Sequence, residues 1–329
     1  MRSAVLFLIF NRPNTTHRVF EAIRSARPNR LYVAADGPRS NHLGEIEYCM
    51  EARCIATQVD WPCDVKTLFR DQNLGCKMGV SSGISWFFDH EEEGIILEDD
   101  ILPLPTFFDF CDELLERYRN TEKIGLISGS NLISNCFEPP ESYLFSHYNL
   151  IWGWATWRRA WKHYDVGMKD WPKWRNRGGL KTVSDGGRLF ESYWENIFDA
   201  VYDGKIDTWD YQLLFALWRR SMLTVIPADN QTWNIGFGRD ATHTTTELPQ
   251  FIIDSKPVPL KFPLSHPLTI NRNKHADKKL DRISYAINLT NHLKRKITSI
   301  PIIGKYVKKI NAKIKLTIKG DDFTKMSVY

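Results

Sequence analysis

The sequence predicts an α/β protein whose mostly parallel central sheet is flanked by helices. Short apolar runs alternate with amphipathic stretches through the first 130 residues, and charged residues follow several of the runs. This alternation is typical of βαβ units, in which helices cover both faces of a parallel sheet. The chain has 329 residues, 43% of them hydrophobic, so it is long enough to bury one large core.

The elements of the first half follow from these runs. Predicted strands occupy residues 4–10, 31–35, 65–69, 94–97 and 124–128. Predicted helices occupy residues 14–26, 43–57, 79–90 and 105–118. The first apolar run continues into Asn11-Arg12-Pro13 and not into a small-residue cleavage site, so we interpret it as a buried strand and not a signal peptide.

Charged residues follow the first, second and fourth predicted strands. Arg12 follows the first strand, Asp36 the second, and Glu98, Asp99 and Asp100 the fourth. Ligands of such sheets bind beyond the carboxyl ends of the strands. Three adjacent carboxylates repel one another and favour a bound cation, and their oxygens suit Mg²⁺ or Mn²⁺. If the chain stays extended, Glu98 and Asp100 face one way and Asp99 the other. The sequence therefore predicts a nucleotide-diphosphate site with a divalent metal.

The run GIILEDDILPLPTFFDF, residues 94–110, resembles the donor motif of the GT-A glycosyltransferases. It is especially similar to the motif of the N-acetylglucosaminyltransferase I family, and it also resembles bacterial sugar transferases found with surface-polysaccharide genes. Weaker matches follow in the same order: FNRP at 10–13, ADG at 35–37, GWATW at 153–157, TWDYQL at 208–213 and NIGFGRDATHT at 234–244. The resemblance covers roughly residues 4–245 and implies a GT-A fold.

The resemblance implies roles in the donor site. Asp100 is implied as the metal ligand and Asp99 as a contact of the ribose, with Glu98 beside them. Arg12 and Asp36 are implied to hold the uridine and its phosphates, because arginine pairs bidentately with phosphate. Two plainer interpretations stay open: Arg12 in a surface salt bridge, and Asp36 shaping a turn with the glycine after it.

The resemblance also implies a catalytic base. Inverting transfer requires a carboxylate that accepts the proton of the attacking hydroxyl. The family places an acid after a tryptophan at the start of a helix, and Trp209-Asp210 matches this pair, so Asp210 is the expected base. The family has a second acid where this chain has Tyr211. Asp207 is the competing choice for the base, and it could instead cap the helix.

Two further residues are weaker candidates for the donor site. Lys77 lies between the third and fourth strands, near the place where the family has a histidine, and could neutralise diphosphate charge. His243 lies near the end of the resembling region and could approach the metal or the diphosphate, although a lone histidine is more often structural.

Together these observations predict a metal-dependent, inverting hexosyl- or N-acetylhexosaminyltransferase of polysaccharide biosynthesis. Its donor would be a UDP-sugar, its acceptor a glycan or glycolipid, and its cofactor Mn²⁺ or Mg²⁺. One alternative is a sugar nucleotidyltransferase, which usually has a glycine-rich loop after its first strand; this chain has Asn11-Arg12-Pro13 there. Another is a carbohydrate-binding or scaffold protein on the same fold.

The rest of the chain suggests a catalytic domain followed by an appendage. Ten of the 12 tryptophans lie between 152 and 233, and sugar faces stack on aromatic rings, although packing in a core is the ordinary role. We interpret 1–248 as the catalytic domain, with a nucleotide-sugar half at 1–130 and an acceptor-side half at 131–248. Residues 249–329 are interpreted as a proline-rich connector and a basic amphipathic tail.

The charge of the tail suggests two interpretations. Residues 271–320 hold 14 Lys/Arg and two Asp, so this segment carries +12 while the whole chain carries +5. The segment could bind an anionic membrane surface, or its apolar face could pack on the body. The body is acidic, which disfavours a nucleic-acid partner.

No apolar run reaches 18 residues, and the six cysteines form no CxxC pair. We therefore expect reduced thiols and a cytoplasmic protein. If the tail binds the membrane, the protein would be peripheral to its inner face.

Overall fold

The computed structural model describes residues 1–185, 187–237 and 249–292. Its first half contains the following elements: β1 (Ala4–Ile9), α1 (Pro13–Ala26), β2 (Arg30–Ala35), α2 (Glu45–Ala56), β3 (Asp64–Phe69), α3 (Gly75–His90), β4 (Glu93–Glu98), β5 (Ile101–Pro103), α4 (Pro105–Tyr118) and β6 (Ile124–Ser128). Every strand and helix expected in this half is present. Helix α3 begins four residues earlier than expected.

The second half begins with two strands and several short helices. Its elements are β7 (Tyr143–Ser146), β8 (Trp154–Trp157), α5 (Arg158–Trp161), α6 (Trp171–Asn176), α7 (Gly179–Ser184), α8 (Arg188–Tyr202), α9 (Asp210–Arg219), β9 (Leu223–Pro227), β10 (Thr232–Asn234), α10 (Gln250–Asp254) and α11 (Lys274–Ile283).

One large sheet organises the described residues, with strand order β3-β2-β1-β4-β8-β6-β9-β7. Strand β8 is antiparallel to both of its neighbours, and β7 is antiparallel to β9. The other neighbouring pairs are parallel. The predicted α/β class, with a mostly parallel sheet flanked by helices, is confirmed. Strands β5 and β10 form a separate antiparallel ribbon directly after the acidic cluster.

The local sequence explains the central elements. All six residues of β1 are buried, as expected for a strand with a parallel neighbour on each side and helices on both faces. Helix α1 starts with Pro13, whose fixed φ suits the first helical position. Its buried residues recur at helical spacing and face the sheet; they are Thr16, Val19, Phe20 and Ile23.

The tryptophans of the second half are mostly core residues. Eight of the ten are no more than 8% exposed, and only Trp174 and Trp233 are half-buried. Trp194 of α8 packs edge-on against Trp218 of α9, with ring centroids 5.1 Å apart. Packing therefore accounts for most of this aromatic enrichment, and an aromatic contact with a sugar stays a prediction.

The described part of the connector and tail packs on the body. Leu260, Leu264 and Leu280 belong to the same hydrophobic core as β1. In α11, Asp277 is fully buried; it pairs with Arg272 and accepts a hydrogen bond from Ser146 of β7. Residues 271–292 thus follow the packing interpretation. The expected boundary at 248 and the basic segment 293–320 lie outside the described residues. No helix within the described ranges is long and apolar enough to cross a bilayer.

Candidate active site

The carboxyl ends of β1, β2 and β4 lie side by side because the three strands are in parallel register. Ile9 of β1 pairs with Ala35 of β2, and Leu8 pairs with Glu98 of β4. The loops that carry Arg12, Asp36 and the acidic cluster therefore leave the sheet at the same edge.

Arg12 bridges the two aspartates after β4. Its Nη2 lies 2.7 Å from Oδ1 of Asp99, and its Nη1 lies 2.8 Å from Oδ2 of Asp100. The backbone N–H of Phe10 donates to the other oxygen of Asp99 at 3.0 Å. The alternation expected through the acidic cluster was wrong, because β4 ends at Glu98 and the two aspartates form a turn that brings both to the same guanidinium.

Carboxylates outnumber cations in this cluster. Burial, followed by the charges of Asp100 and Asp99, raises the pKa of Glu98 to about 8. Burial also raises the pKa of Asp99 to about 6, against the opposing effect of Arg12. Burial lowers the pKa of Arg12, but the charges of the two aspartates outweigh it and raise that pKa above its ordinary value. The site carries an excess of negative charge in a poorly solvated place.

The carboxylate of Asp36 accepts hydrogen bonds from backbone and side-chain donors of the loop before α3. Its carboxylate accepts hydrogen bonds from the N–H groups of Leu74 and Gly75 at 2.9 and 3.1 Å, and from Nδ2 of Asn73 at 3.0 Å. The N–H of Gly37 donates to it as well. Asp36 thus fixes the start of α3. This agrees with the interpretation that Asp36 shapes a turn with Gly37, and it adds a contact with the loop before α3. Its expected contact with uridine stays a prediction.

Asp210 is the first residue of α9 and is only 3% exposed. The hydroxyl of Thr208 donates to its Oδ1. Burial raises the pKa of Asp210 to about 6, although the hydrogen bond from Thr208 lowers it. The charge of Asp210 contributes to the raised pKa of Glu98, so the two carboxylates lie within electrostatic range of each other. A raised pKa at a buried carboxyl is what general-base chemistry near neutral pH requires.

Asp207, the competing base, lies at the same edge but is exposed. Its Oδ2 lies 3.8 Å from the position that a Cβ on Gly75 would take, so it sits over the start of α3. It does not cap α9, whose N-cap position is Trp209. Both aspartates, together with Glu98, raise the pKa of the Cys76 thiol, after the larger effect of burial. Cys76 therefore lies within electrostatic range of the two candidate bases and of Glu98.

The structure describes only one of the two weaker candidates. Lys77 is half-buried in the first turn of α3, one residue after Cys76, and no ion pair engages it within the described part of the chain. His243 lies outside the described residues. The structure therefore leaves the expected role of each as a prediction.

The segment after β10 covers the acidic cluster. The N–H of Ile235 donates to the backbone oxygen of Asp100 at 2.8 Å. Gly236 lies so close that an added Cβ would be 2.2 Å from Oδ2 of Asp100 and 2.7 Å from Nη1 of Arg12. A side chain at position 236 would therefore displace the Arg12–Asp100 pair.

Three residues that the sequence did not single out shape the site: Glu45, Thr208 and Gly236. Glu45 is 4% exposed and accepts hydrogen bonds from Nδ2 of Asn11 at 2.8 Å and from the N–H of Arg39 at 2.6 Å. It thereby ties the loop after β2 to the loop after β1. Glu45 lies in a polar helical stretch that resembles any solvated helix face, so nothing in the sequence indicated it.

A divalent cation fits this set of residues under one condition. Within residues 1–185, 187–237 and 249–292, no three His, Cys, Asp or Glu side chains converge as a ready-made metal site. Mg²⁺, however, is usually held by one or two carboxylates together with substrate phosphates. Asp99 and Asp100 offer two carboxylates, and the excess negative charge favours a further cation. The site therefore fits a cation that arrives with a phosphorylated substrate.

Comparisons with known proteins give only distant likenesses. No protein-family model matches the chain, and no curated protein matches it. Among solved structures, S. aureus TarS 1–349 is 9% identical, with 70% of this chain and 59% of that chain covered and a TM-score of 0.36. An apo UDP-glucose pyrophosphorylase is 8% identical, with 78% and 97% covered and a TM-score of 0.36. HddC from Yersinia pseudotuberculosis is 10% identical, with 44% and 59% covered and a TM-score of 0.26. These likenesses are too distant to assign an activity.

Proposed function

We propose that this chain is a glycosyltransferase of the GT-A type that moves a sugar from a UDP-sugar to a hydroxyl of a glycan or glycolipid, with inversion at the anomeric carbon. One observation carries the proposal. A buried aspartate with a raised pKa, Asp210, lies beside an acidic cluster at the carboxyl edge of a mostly parallel sheet. Such a site pairs a base for the acceptor with a charged region for the departing diphosphate.

In the proposed reaction the acceptor hydroxyl oxygen attacks the anomeric carbon while Asp210 takes its proton. The bond between the anomeric carbon and the diphosphate oxygen breaks, and its electron pair leaves with UDP. Burial supports this role because it raises the pKa of Asp210 toward neutrality, which strengthens the carboxylate as a base. Thr208 orients the carboxylate through its hydroxyl.

The donor half is proposed to hold the leaving group. Asp100 would hold Mn²⁺ or Mg²⁺ together with the diphosphate, and the metal would take up negative charge as UDP leaves. Asp99 would contact the ribose. Arg12 has five N–H donors in a planar fork that suits phosphate oxygens. Asp36 and Glu45 position the two loops around the nucleotide through the hydrogen bonds described above.

A sugar nucleotidyltransferase is the second candidate, and the chain between β1 and α1 disfavours it. Helix α1 begins at Pro13, four residues after β1 ends, so no glycine-rich loop lies there to cradle a triphosphate. The start of α3 is also unsuited to a phosphate, because the carboxylate of Asp36 already accepts from its first N–H groups. A scaffold protein is the third candidate and requires no buried base.

The deciding experiment is a panel of nucleotide-sugars incubated with the purified protein and Mn²⁺ or Mg²⁺, with release of the nucleoside diphosphate as the readout. We expect metal-dependent release from a UDP-sugar and at least about a hundredfold less from Asp100→Asn. Formation of pyrophosphate from UTP and a sugar 1-phosphate would support the nucleotidyltransferase instead. A protein that binds glycans but neither releases nor binds UDP would be a scaffold.

A further inference from the structure

The bridge from Arg12 to the acidic cluster is buried at its centre. The side chain of Arg12 is 22% exposed, that of Asp99 3% and that of Asp100 14%. The Nε of Arg12 is buried without a hydrogen-bond partner among the described residues. The guanidinium therefore pairs its two terminal nitrogens with the aspartates, while its Nε–H has no partner there.

This bridge and a divalent cation compete for the same carboxylate. Oδ2 of Asp100 accepts from Nη1 of Arg12 at 2.8 Å, and Gly236 packs against both groups. A cation held by that oxygen at about 2.1 Å would lie against the guanidinium without solvent between them. Like charges at such a distance repel one another. Arg12 must therefore release Oδ2 of Asp100 before a cation binds that oxygen.

A nucleotide diphosphate can accept the released guanidinium. Its phosphate oxygens pair with arginine at least as well as a carboxylate does, and it brings further oxygens for the cation. We infer that Arg12 is a resident counter-ion of the acidic cluster, which excludes divalent cations from Asp100 until a nucleotide diphosphate draws the guanidinium away. The inference rests on the proposed donor site and adds to it that metal and nucleotide bind together.

The test measures Mn²⁺ binding by isothermal titration calorimetry, with and without UDP, for the parent protein and Arg12→Gln. We expect the parent to bind Mn²⁺ at least about tenfold more tightly with UDP than without it. We expect Arg12→Gln to bind Mn²⁺ alone at least about tenfold more tightly than the parent does, because the competing charge is gone. In Arg12→Gln/Asp100→Asn that gain should vanish.

Arg30→Gln is the matched control, since Arg30 also pairs with a carboxylate, that of Glu91, but at the amino end of β2 and away from the acidic cluster. It should leave Mn²⁺ binding unchanged. If Arg12→Gln fails to fold, Arg12→Lys replaces it; its ammonium lacks the planar fork that pairs with both aspartates, and its Mn²⁺ affinity should also exceed that of the parent.

Two results would overturn the inference: an Arg12 variant that binds Mn²⁺ alone no more tightly than the parent does, or a parent that binds UDP but has the same Mn²⁺ affinity with and without it. Failure of UDP to bind in any condition would count against the proposed function instead. The comparison with Mn²⁺ alone does not depend on UDP and separates the two cases.

Discussion

The rings of Trp154 and Trp209 stack with centroids 5.8 Å apart and an interplanar angle of 22°. Trp154 lies on β8 at the centre of the sheet, and Trp209 is the residue before Asp210. Both rings are at most 2% exposed. The stack therefore holds the start of α9, and with it the proposed base, against the rigid centre of the molecule, as a preorganised catalytic group requires.

Asp210→Asn should lower kcat by about a hundredfold to ten thousandfold, because the amide cannot accept the proton of the acceptor. The affinity for UDP should change little. Asp207→Asn is the matched control, since Asp207 lies at the same edge but is exposed, and it should retain activity within about threefold. Steady-state transfer kinetics measure both. If Asp207→Asn causes the large loss, the roles of the two aspartates are reversed.

The rate should rise with pH through about 6, the value to which burial raises the pKa of Asp210. The base works only when it is ionised, so activity is lost below that pH. Among the described residues, the charge of Asp210 raises the pKa values of Glu98, Cys76 and Tyr164. The raised pKa values of Cys76 and Tyr164 leave both of these groups neutral at pH 6.

Thr208→Val should move the rise in rate, which is the acidic limb of the pH profile, to higher pH. The reason is that the hydroxyl of Thr208 lowers the pKa of Asp210. Thr208→Ser keeps a hydroxyl and should leave the limb in place. The measurement is kcat/KM between pH 5 and 8 for the three proteins. Coincident profiles for the parent and Thr208→Val would show that another group sets the limb.

Asp36→Ala should lower the free energy of unfolding by about 1–3 kcal/mol, because several N–H donors at the start of α3 lose their acceptor. Asp71→Ala removes an exposed aspartate near the same loop and should stay within about 0.5 kcal/mol. Urea unfolding measures both. Unchanged stability with weakened UDP binding would make Asp36 a nucleotide ligand alone.

Gly236→Ala should weaken UDP binding by about tenfold or more, since the new Cβ would displace Asp100 and Arg12. Gly167→Ala is the control; its Cβ would meet only atoms at 3.6 and 3.9 Å on the exposed surface. Calorimetric titration with UDP and Mn²⁺ compares the two. Equal affinities would mean that position 236 moves away when the donor binds.

Arg272→Met should destabilise the protein by about 3–5 kcal/mol, because it leaves the fully buried Asp277 without its cationic partner. Arg282→Met, on the exposed side of α11, should cost less than about 0.5 kcal/mol. Adding Asp277→Asn to Arg272→Met should recover part of the loss. Denaturant unfolding of the four proteins checks this, and equal stabilities would contradict it.

The first half of the fold followed from the sequence because each element there carries its own signal. Buried strands are continuous apolar runs, and proline marks the starts of α1 and α4. The early start of α3 at Gly75 was missed because Asp36, 39 residues away, supplies the acceptor for its first N–H groups. Gly75 also has a φ of +76°, which suits glycine. A glycine at this position indicates a loop when only the sequence is considered.

The site was predictable as a set of strand ends but not as a set of contacts. Strand-end position places Arg12 and the acidic cluster at one edge. Only the structure shows that Arg12 reaches two acids 87 and 88 residues further along the chain. The contacts of Gly236 with the acidic cluster and of Glu45 with the loop after β1 likewise join residues that are far apart in the sequence. No local sequence pattern predicts them.

The placement of β8 has a consequence for biosynthesis. Ala155 of β8 pairs with Ile95 on one side and with Ile127 on the other, so the strand that joins the two parts of the sheet is made after both. As the chain leaves the ribosome, β4 and β6 each expose an unpaired edge until Ala155 emerges. A stall of translation within that interval leaves these edges exposed and favours aggregation over folding.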